Sequence, residues 1–210
     1  MSKLPIDTRK KILEKALEMF NERGIEYVGL RELAAILEMR VSNITYYFPT
    51  KDDLVYALSL ELREANNAVI VPVENMTMSS FFHMLHEVFN THVRFRCLLL
   101  SVVHLMTQNK HMAVAYNKTQ KVRNATMFSN LQALERAGYL KSKDEAEMQF
   151  LVSGISLISR FWISEAAISL ADVSIQKQIH HYLSLLSKLL MPYATAKAKK
   201  EMDTFLKSVQ

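Results

Sequence analysis

Leu30 to Lys51, LRELAAILEMRVSNITYYFPTK, is the stretch on which the reading of this chain turns. Leu30, Leu33, Ala34 and Leu37 recur at helical spacing and give a first short helix one apolar face. Val28 and Leu33 stand where a hydrophobic staple would, and Glu32 takes the third helical position, as in a capping box. Glu38, Met39 and Arg40 leave room only for a turn. The next segment, Val41 to Tyr47, has a single inward residue, Ile44, among groups that donate or accept hydrogen bonds. A helix this short and this poor in apolar surface is held by its neighbours, and its polar face is offered outward. A helix-turn-helix that reads the DNA major groove has that form.

The flanks fit the same picture. Upstream, Asp7 or Thr8 is placed to cap a helix with the apolar face Ile12, Leu13, Ala16, Leu17 and Phe20, and Gly24 is placed to end it in a left-handed conformation. Arg9, Lys10 and Lys11 crowd its first turn, where the helix dipole disfavours cations; a solvated face and contact with phosphate both account for them. Downstream, Thr50 is a good N-cap with Asp53 three residues on, and Leu54, Leu58 and Leu62 give the next helix a core face until Val71-Pro72 breaks it.

The whole chain sets the bounds. Its 210 residues are 50% hydrophobic and 22% charged, so a sizeable core is available, and four glycines and four prolines are too few for a strand-and-turn architecture. The expected fold is all-α: an N-terminal three-helix helix-turn-helix DNA-binding domain over residues 1–50, a connecting helix over 51–70, and a larger helical ligand-binding and dimerisation domain over 71–210. One cysteine, Cys97, forms no internal disulfide and suits a reducing cytosol, so a cytoplasmic location is expected. Residues 1–11 lack the apolar core of a signal peptide. Phe150 to Leu170 is long enough to span a membrane but carries Arg160 and Glu165, which favours a buried helix and no membrane partner. Net charge is +5 overall and, with nine Lys/Arg against seven Asp/Glu, +2 over residues 1–51. Bulk charge is therefore modest, and the case for DNA rests on arrangement.

Beyond Pro72, helices are expected over Ser79–Arg94, Phe95–Thr107, Met112–Ala137, Lys143–Leu170 and Ser174–Met191, followed by a basic tail with Lys197, Lys199 and Lys200. Phe82, His86, Phe89, His104, Tyr116, Met127 and Phe128 interleave apolar and polar groups as small-molecule sites do, although ordinary core also accounts for them. His83 and His86 share one helical face, but neither an HExxH pattern nor a cysteine partner accompanies them, so no metal and no cofactor is expected. The last two long helices read as a self-pairing surface. Ile158, Phe161 and Trp162, with small Gly154, and then Tyr182 and Leu186 would form a homodimer contact that spaces two reading heads about 34–36 Å apart.

LRELAAILEMRVSNITYYFPTKDDLV is similar to the TetR/AcrR-type one-component transcriptional regulators, whose signature Leu-Tyr-x-His/Tyr-Phe-x-x-Lys-Asp/Glu-x-Leu is here Ile44-Thr45-Tyr46-Tyr47-Phe48-Pro49-Thr50-Lys51-Asp52-Asp53-Leu54. It covers roughly residues 7–65. Glu38 stands where the family usually has a turn glycine, Arg40 replaces the usual Ser/Thr cap, and Thr45 replaces a common tyrosine. The resemblance implies a homodimeric repressor that binds a palindromic double-stranded operator in the major groove and is released by a small, largely apolar effector.

Chemistry ranks the contacts. An amide such as Asn43 bonds adenine bidentately, for about 1–3 kcal/mol of discrimination, although it also caps backbone locally. Ser42 and Thr45 suit a base edge or phosphate, and Val41 a thymine methyl. Tyr46 and Tyr47 suit phosphate, with Tyr47, beside Phe48, the more core-like of the two. Lys51 at a helix N-terminus is a phosphate anchor, and Arg31 and Arg40 are second-rank contacts. An enzyme is disfavoured because no phosphate loop, nucleophile elbow or metal-ligand cluster occurs. A helical protein-interaction module without sequence-specific DNA binding is the alternative, and it leaves the polar, staple-supported short helix unexplained.

Overall fold

The computed structural model of the chain describes the backbone of residues 5–210 and the side chains from Thr8 onward. Eleven α-helices follow one another among the described residues: α1 Pro5–Arg23, α2 Leu30–Ile36, α3 Val41–Tyr47, α4 Lys51–Asn67, α5 Met78–Arg94, α6 Arg96–Leu100, α7 Val102–Gln108, α8 Lys110–Arg136, α9 Glu145–Ser169, α10 Ile175–Leu190 and α11 Ala196–Ser208. The only strand-like pairing among them is one antiparallel bridge, Leu140 with Ala194. The all-α expectation holds.

Several ends differ from the sequence reading for local reasons. Helix α1 is already helical at Pro5, the first described residue, ahead of Asp7 and Thr8, a place that proline's missing N–H tolerates in a first turn. The Asp7 side chain lies outside the described residues. Gly24 ends α1 at φ +91°, as its position suggested. The expected helix Phe95–Thr107 is broken at Ser101 into α6 and α7. The basic tail is a correction: Thr195 caps α11 by accepting from the Ala198 N–H, and Ala198, Met202 and Phe205 recur at i, i+4, i+7 as its buried face.

The chain forms two compact units. The first runs to Ala65 and adds Arg94–Val114; the second is Asn66–Val93 with Ala115–Gln210. This differs from a linear division near residue 71, and the reason lies in α1. The Asn21 amide donates to the Arg94 carbonyl at 2.8 Å and accepts from the Cys97 N–H at 3.0 Å, while the Asn21 carbonyl accepts two bonds from the Arg96 guanidinium at 2.9 and 3.1 Å. Further along, Ser101 donates to Glu26 and Asn109 to Asp52, each at 3.0 Å, and the His111 ring lies 4.8 Å from that of Tyr56. The core of this unit is Ile12, Leu13, Ala16 and Phe20 of α1, with Leu33, Ile44, Phe48, Leu54 and Leu58. Cys97 belongs to it as a small hydrophobe, and burial pushes its thiol up to about 12, far from reactivity.

In the second unit Trp162 of α9 is the centre. It is 1% exposed, stacks on Phe89 at 4.8 Å, lies 5.5 Å from the Tyr182 ring, and donates to His92 Nδ1 at 3.2 Å. Helix α9 is long and apolar enough to cross a membrane by length and composition. Burial accounts for one face only. One face (Met148, Leu151, Ile155, Trp162, Ile163) is core, while Phe150, Leu157 and Ile168 on another are 56%, 59% and 83% exposed.

Candidate nucleic-acid interface

Local bonding builds the reading head as the sequence suggests. Gly29 is the N-cap of α2, and Val28 and Leu33, each 1% exposed, form the staple around it. The Glu32 carboxylate meets Arg23 at 2.6 Å, and that bond above all holds it below the usual carboxylate range; with glycine at the N-cap, no side chain completes a capping box. Helix α2 ends in a Schellman turn. The Glu38 N–H donates to Ala35 at 3.1 Å and the Met39 N–H to Ala34 at 3.0 Å, with Glu38 at φ +53°. Two hydrogen bonds thus hold a glutamate in a left-handed conformation that glycine would adopt without steric cost.

Helix α3 then begins. Arg40 sits at its N-cap with no side-chain cap bond, which leaves the guanidinium exposed at the helix start. Ile44 alone is buried, at 0% exposure. Ser42, Asn43 and Tyr46 are exposed and Val41, Thr45 and Tyr47 half-buried. The Tyr46 ring is 80% exposed and packs edge-on to Tyr47 at 5.0 Å. Thr45 returns its hydroxyl to the Ser42 carbonyl at 3.4 Å. Arg31 projects from α2 as an exposed residue.

Thr50 and Asp53 exchange bonds at the start of α4: the Asp53 N–H donates to the Thr50 hydroxyl at 3.1 Å, and the Thr50 N–H to the Asp53 carboxylate at 3.0 Å. Lys51 stands in the first turn. Its ammonium donates to the Glu26 carbonyl at 3.2 Å, and partial burial moves it below the ordinary lysine range. The anchor is therefore also a tie to the loop before α2. That loop exposes Tyr27, at 80%, a phenol that no periodic pattern singles out. Of the first-turn cations of α1, Arg9 lies over the Phe48 ring at 5.1 Å and Lys10 pairs with Glu14 at 3.7 Å.

The other two expected sets fare differently. For the effector set, Phe82 and His86 lie against Phe205 of α11 at 5.6 and 6.3 Å, Phe89 is stacked on Trp162, and Tyr116 lies near Arg160. Met127 and Phe128 are half-buried on α8. His104 is exposed and belongs to the first unit. For the dimer set, Trp162, Tyr182 and Leu186 are 1%, 4% and 0% exposed within their own protomer and have no surface to offer. Gly154 serves packing inside the protomer: a Cβ there would meet Leu189 at 2.8 Å. Ile158 and Phe161 remain half-exposed. The apolar surface left open on these helices is Phe150, which the sequence also offers for self-pairing, with Leu157, Ile168 and Leu185, which it does not single out.

Comparison with known proteins agrees with this geometry. Residues 12–58 match the description of bacterial regulatory proteins of the tetR family, and residues 62–202 that of a TetR bacterial transcriptional repressor. The chain is 34% identical to the probable HTH-type transcriptional regulator YttP of Bacillus subtilis over 61 residues, 29% of this chain and 30% of that one. It therefore matches less than a third of that relative's length. The fold is that of a TetR-family transcriptional regulator from Marinobacter aquaeolei VT8, with a TM-score of 0.86, 19% identity and coverage of 96% and 98% of the two chains. A regulator from Saccharomonospora viridis in complex with choline superposes with a TM-score of 0.69 at 18% identity, covering 86% and 96%. The chain belongs to the TetR family of bacterial transcriptional regulators.

Proposed function

We propose that this regulator is a homodimeric repressor that sets α3 of each protomer into the major groove of a palindromic operator and leaves it when a small effector binds the second unit. The supporting observation is α3 itself: one buried anchor, Ile44, and a polar exposed face of Ser42, Asn43 and Tyr46 held between a Schellman turn and a capped helix. Asn43 reads a base edge, Ser42, Thr45 and Val41 assist it, and Lys51, Tyr46, Tyr47, Arg31, Arg40 and the exposed Tyr27 bind phosphates. The protein acts in the cytoplasm, by binding and not by catalysis.

Dimerisation is supported by the open stripe on α9. Phe150, Leu157 and Ile168 fall at spacings of seven and eleven on one face, half-buried Phe161 lies between the last two, and Leu185 adds to it from α10. The choline in the S. viridis relative supports a small-molecule effector in this fold without naming one for this chain. The test is a gel shift of the full chain on DNA flanking its own gene, against random DNA of equal length, with sedimentation in parallel. A discrete complex that outcompetes random DNA and a dimer at micromolar protein are expected. Equal affinity for both DNAs refutes the operator reading, and a monomer refutes the dimer.

A further inference from the structure

Helices α8 and α9 meet along a seam that turns polar at one level. Tyr116, Gln120 and Asn124 recur every four residues on α8, and Ser156 and Arg160 do so on α9. Ser156 donates to Asn124 at 3.0 Å. With the Gln120 amide oxygen turned toward the donors around it, it accepts from Arg160 Nη2 at 2.6 Å and Nε at 3.1 Å and from the Tyr116 hydroxyl at 3.0 Å. The guanidinium lies 5.8 Å from the Tyr116 ring centre and 5.9 Å from that of Phe161. Arg160 is half-buried, and among the described residues it makes no ion pair with a carboxylate. In the same turn of α9, the Ser159 hydroxyl is buried without a partner.

A half-buried guanidinium met only by an amide and two aromatic faces keeps its full charge uncompensated, which burial penalises. Gln120 uses two of its five N–H donors, and the three that remain can receive a carboxylate in a fork. The flanking rings favour an organic body over an inorganic ion. We infer that Arg160, positioned by Gln120 and Tyr116, is the recognition point for a small organic carboxylate, and that the effector of this regulator is of that class. The inference rests on the effector-released reading above and narrows it.

The chain's only tryptophan, Trp162, lies two residues along α9 and reports on the seam. The full chain is titrated with benzoate and octanoate, with benzyl alcohol and octanol as neutral counterparts and inorganic phosphate as a third arm, following Trp162 fluorescence. Both carboxylates should bind saturably, about tenfold or more tighter than the alcohols and phosphate. Arg160→Gln should lose that preference, and Arg160→Lys, which keeps charge but not the fork, should fall between. Both variants should remain folded, and operator shift without ligand should be unchanged in both. Alcohols or phosphate binding as tightly as the carboxylates, full carboxylate binding by Arg160→Gln, or no binding of either carboxylate each overturns the assignment. An unsubstituted chain that binds its operator but neither carboxylate sinks this inference alone; no operator binding in the unsubstituted chain sinks the reading beneath it.

Discussion

Glu38→Gly should stabilise the reading head. Glu38 is the only non-glycine residue with positive φ among those described, at +53°, and a side chain in that region costs about 1–2 kcal/mol. Glycine removes this cost but has a freer unfolded chain, which offsets roughly 0.5–1 kcal/mol. The Glu38 side chain is exposed and makes no hydrogen bond or ion pair among the described residues, so the substitution forfeits no contact. The Schellman bonds use backbone only and survive. The net gain is about 0.5–1 kcal/mol, a rise of about 1–4 °C in the midpoint for a chain of this size. Urea and thermal unfolding measure it, with two controls. Glu38→Gln removes the charge and keeps the strain, so it should alter DNA affinity but not stability. Glu38→Ala keeps a Cβ in the left-handed region and should not gain. A glycine variant no more stable than the alanine one would show that the turn relaxes its strain elsewhere.

Asn43→Ala should relax sequence preference, whereas Lys51→Ala should weaken binding to all DNA and lower the salt slope by about one; equal losses on operator and random DNA for Asn43→Ala would remove its base-reading role. Leu157→Glu places a charge in the middle of the open α9 stripe and should yield a folded monomer by sedimentation; an intact dimer would put the interface elsewhere. His92 gives a pH signature. Burial first, and the Arg123 charge second, depress it from 6.5 to about 3, so between these values the unfolded chain takes up a proton that the folded one refuses. Stability therefore falls as pH drops through that window, by up to roughly 1.4 kcal/mol per pH unit from this group. His92→Gln, which keeps an acceptor for Trp162, should flatten the slope in urea unfolding between neutral and mildly acidic pH; identical slopes would contradict the buried neutral imidazole.

The reading head was legible in the sequence because its determinants are short-range. The staple, Gly24 and the Thr50–Asp53 pair are patterns within four or five residues, and the structure forms each of them. Helix α9 was legible as a helix but not in its facing. It is apolar nearly all round, so periodicity fits two phases, and only packing shows that Trp162 points inward while Leu157 points out. Helix α11 was hidden by its lysines, which mask the Ala198, Met202 and Phe205 stripe. Phe82 and Phe89 lie on one face of α5, yet Phe82 meets α11 and Phe89 meets α9. Which partner covers which turn is decided by tertiary contact and has no local signature.

The Asn21 hub has a consequence for recombination. Because Arg94, Arg96 and Cys97 all bond to it, the compact unit that carries the reading helix is assembled from two stretches separated in the gene by the codons of residues 66–93. A chimera that transplants residues 1–65 alone would strip Asn21 of every one of these partners and bare the α1 surface that α6 covers. Grafting this specificity onto another regulatory core therefore requires a two-piece transfer, in which residues 94–114 travel with the head.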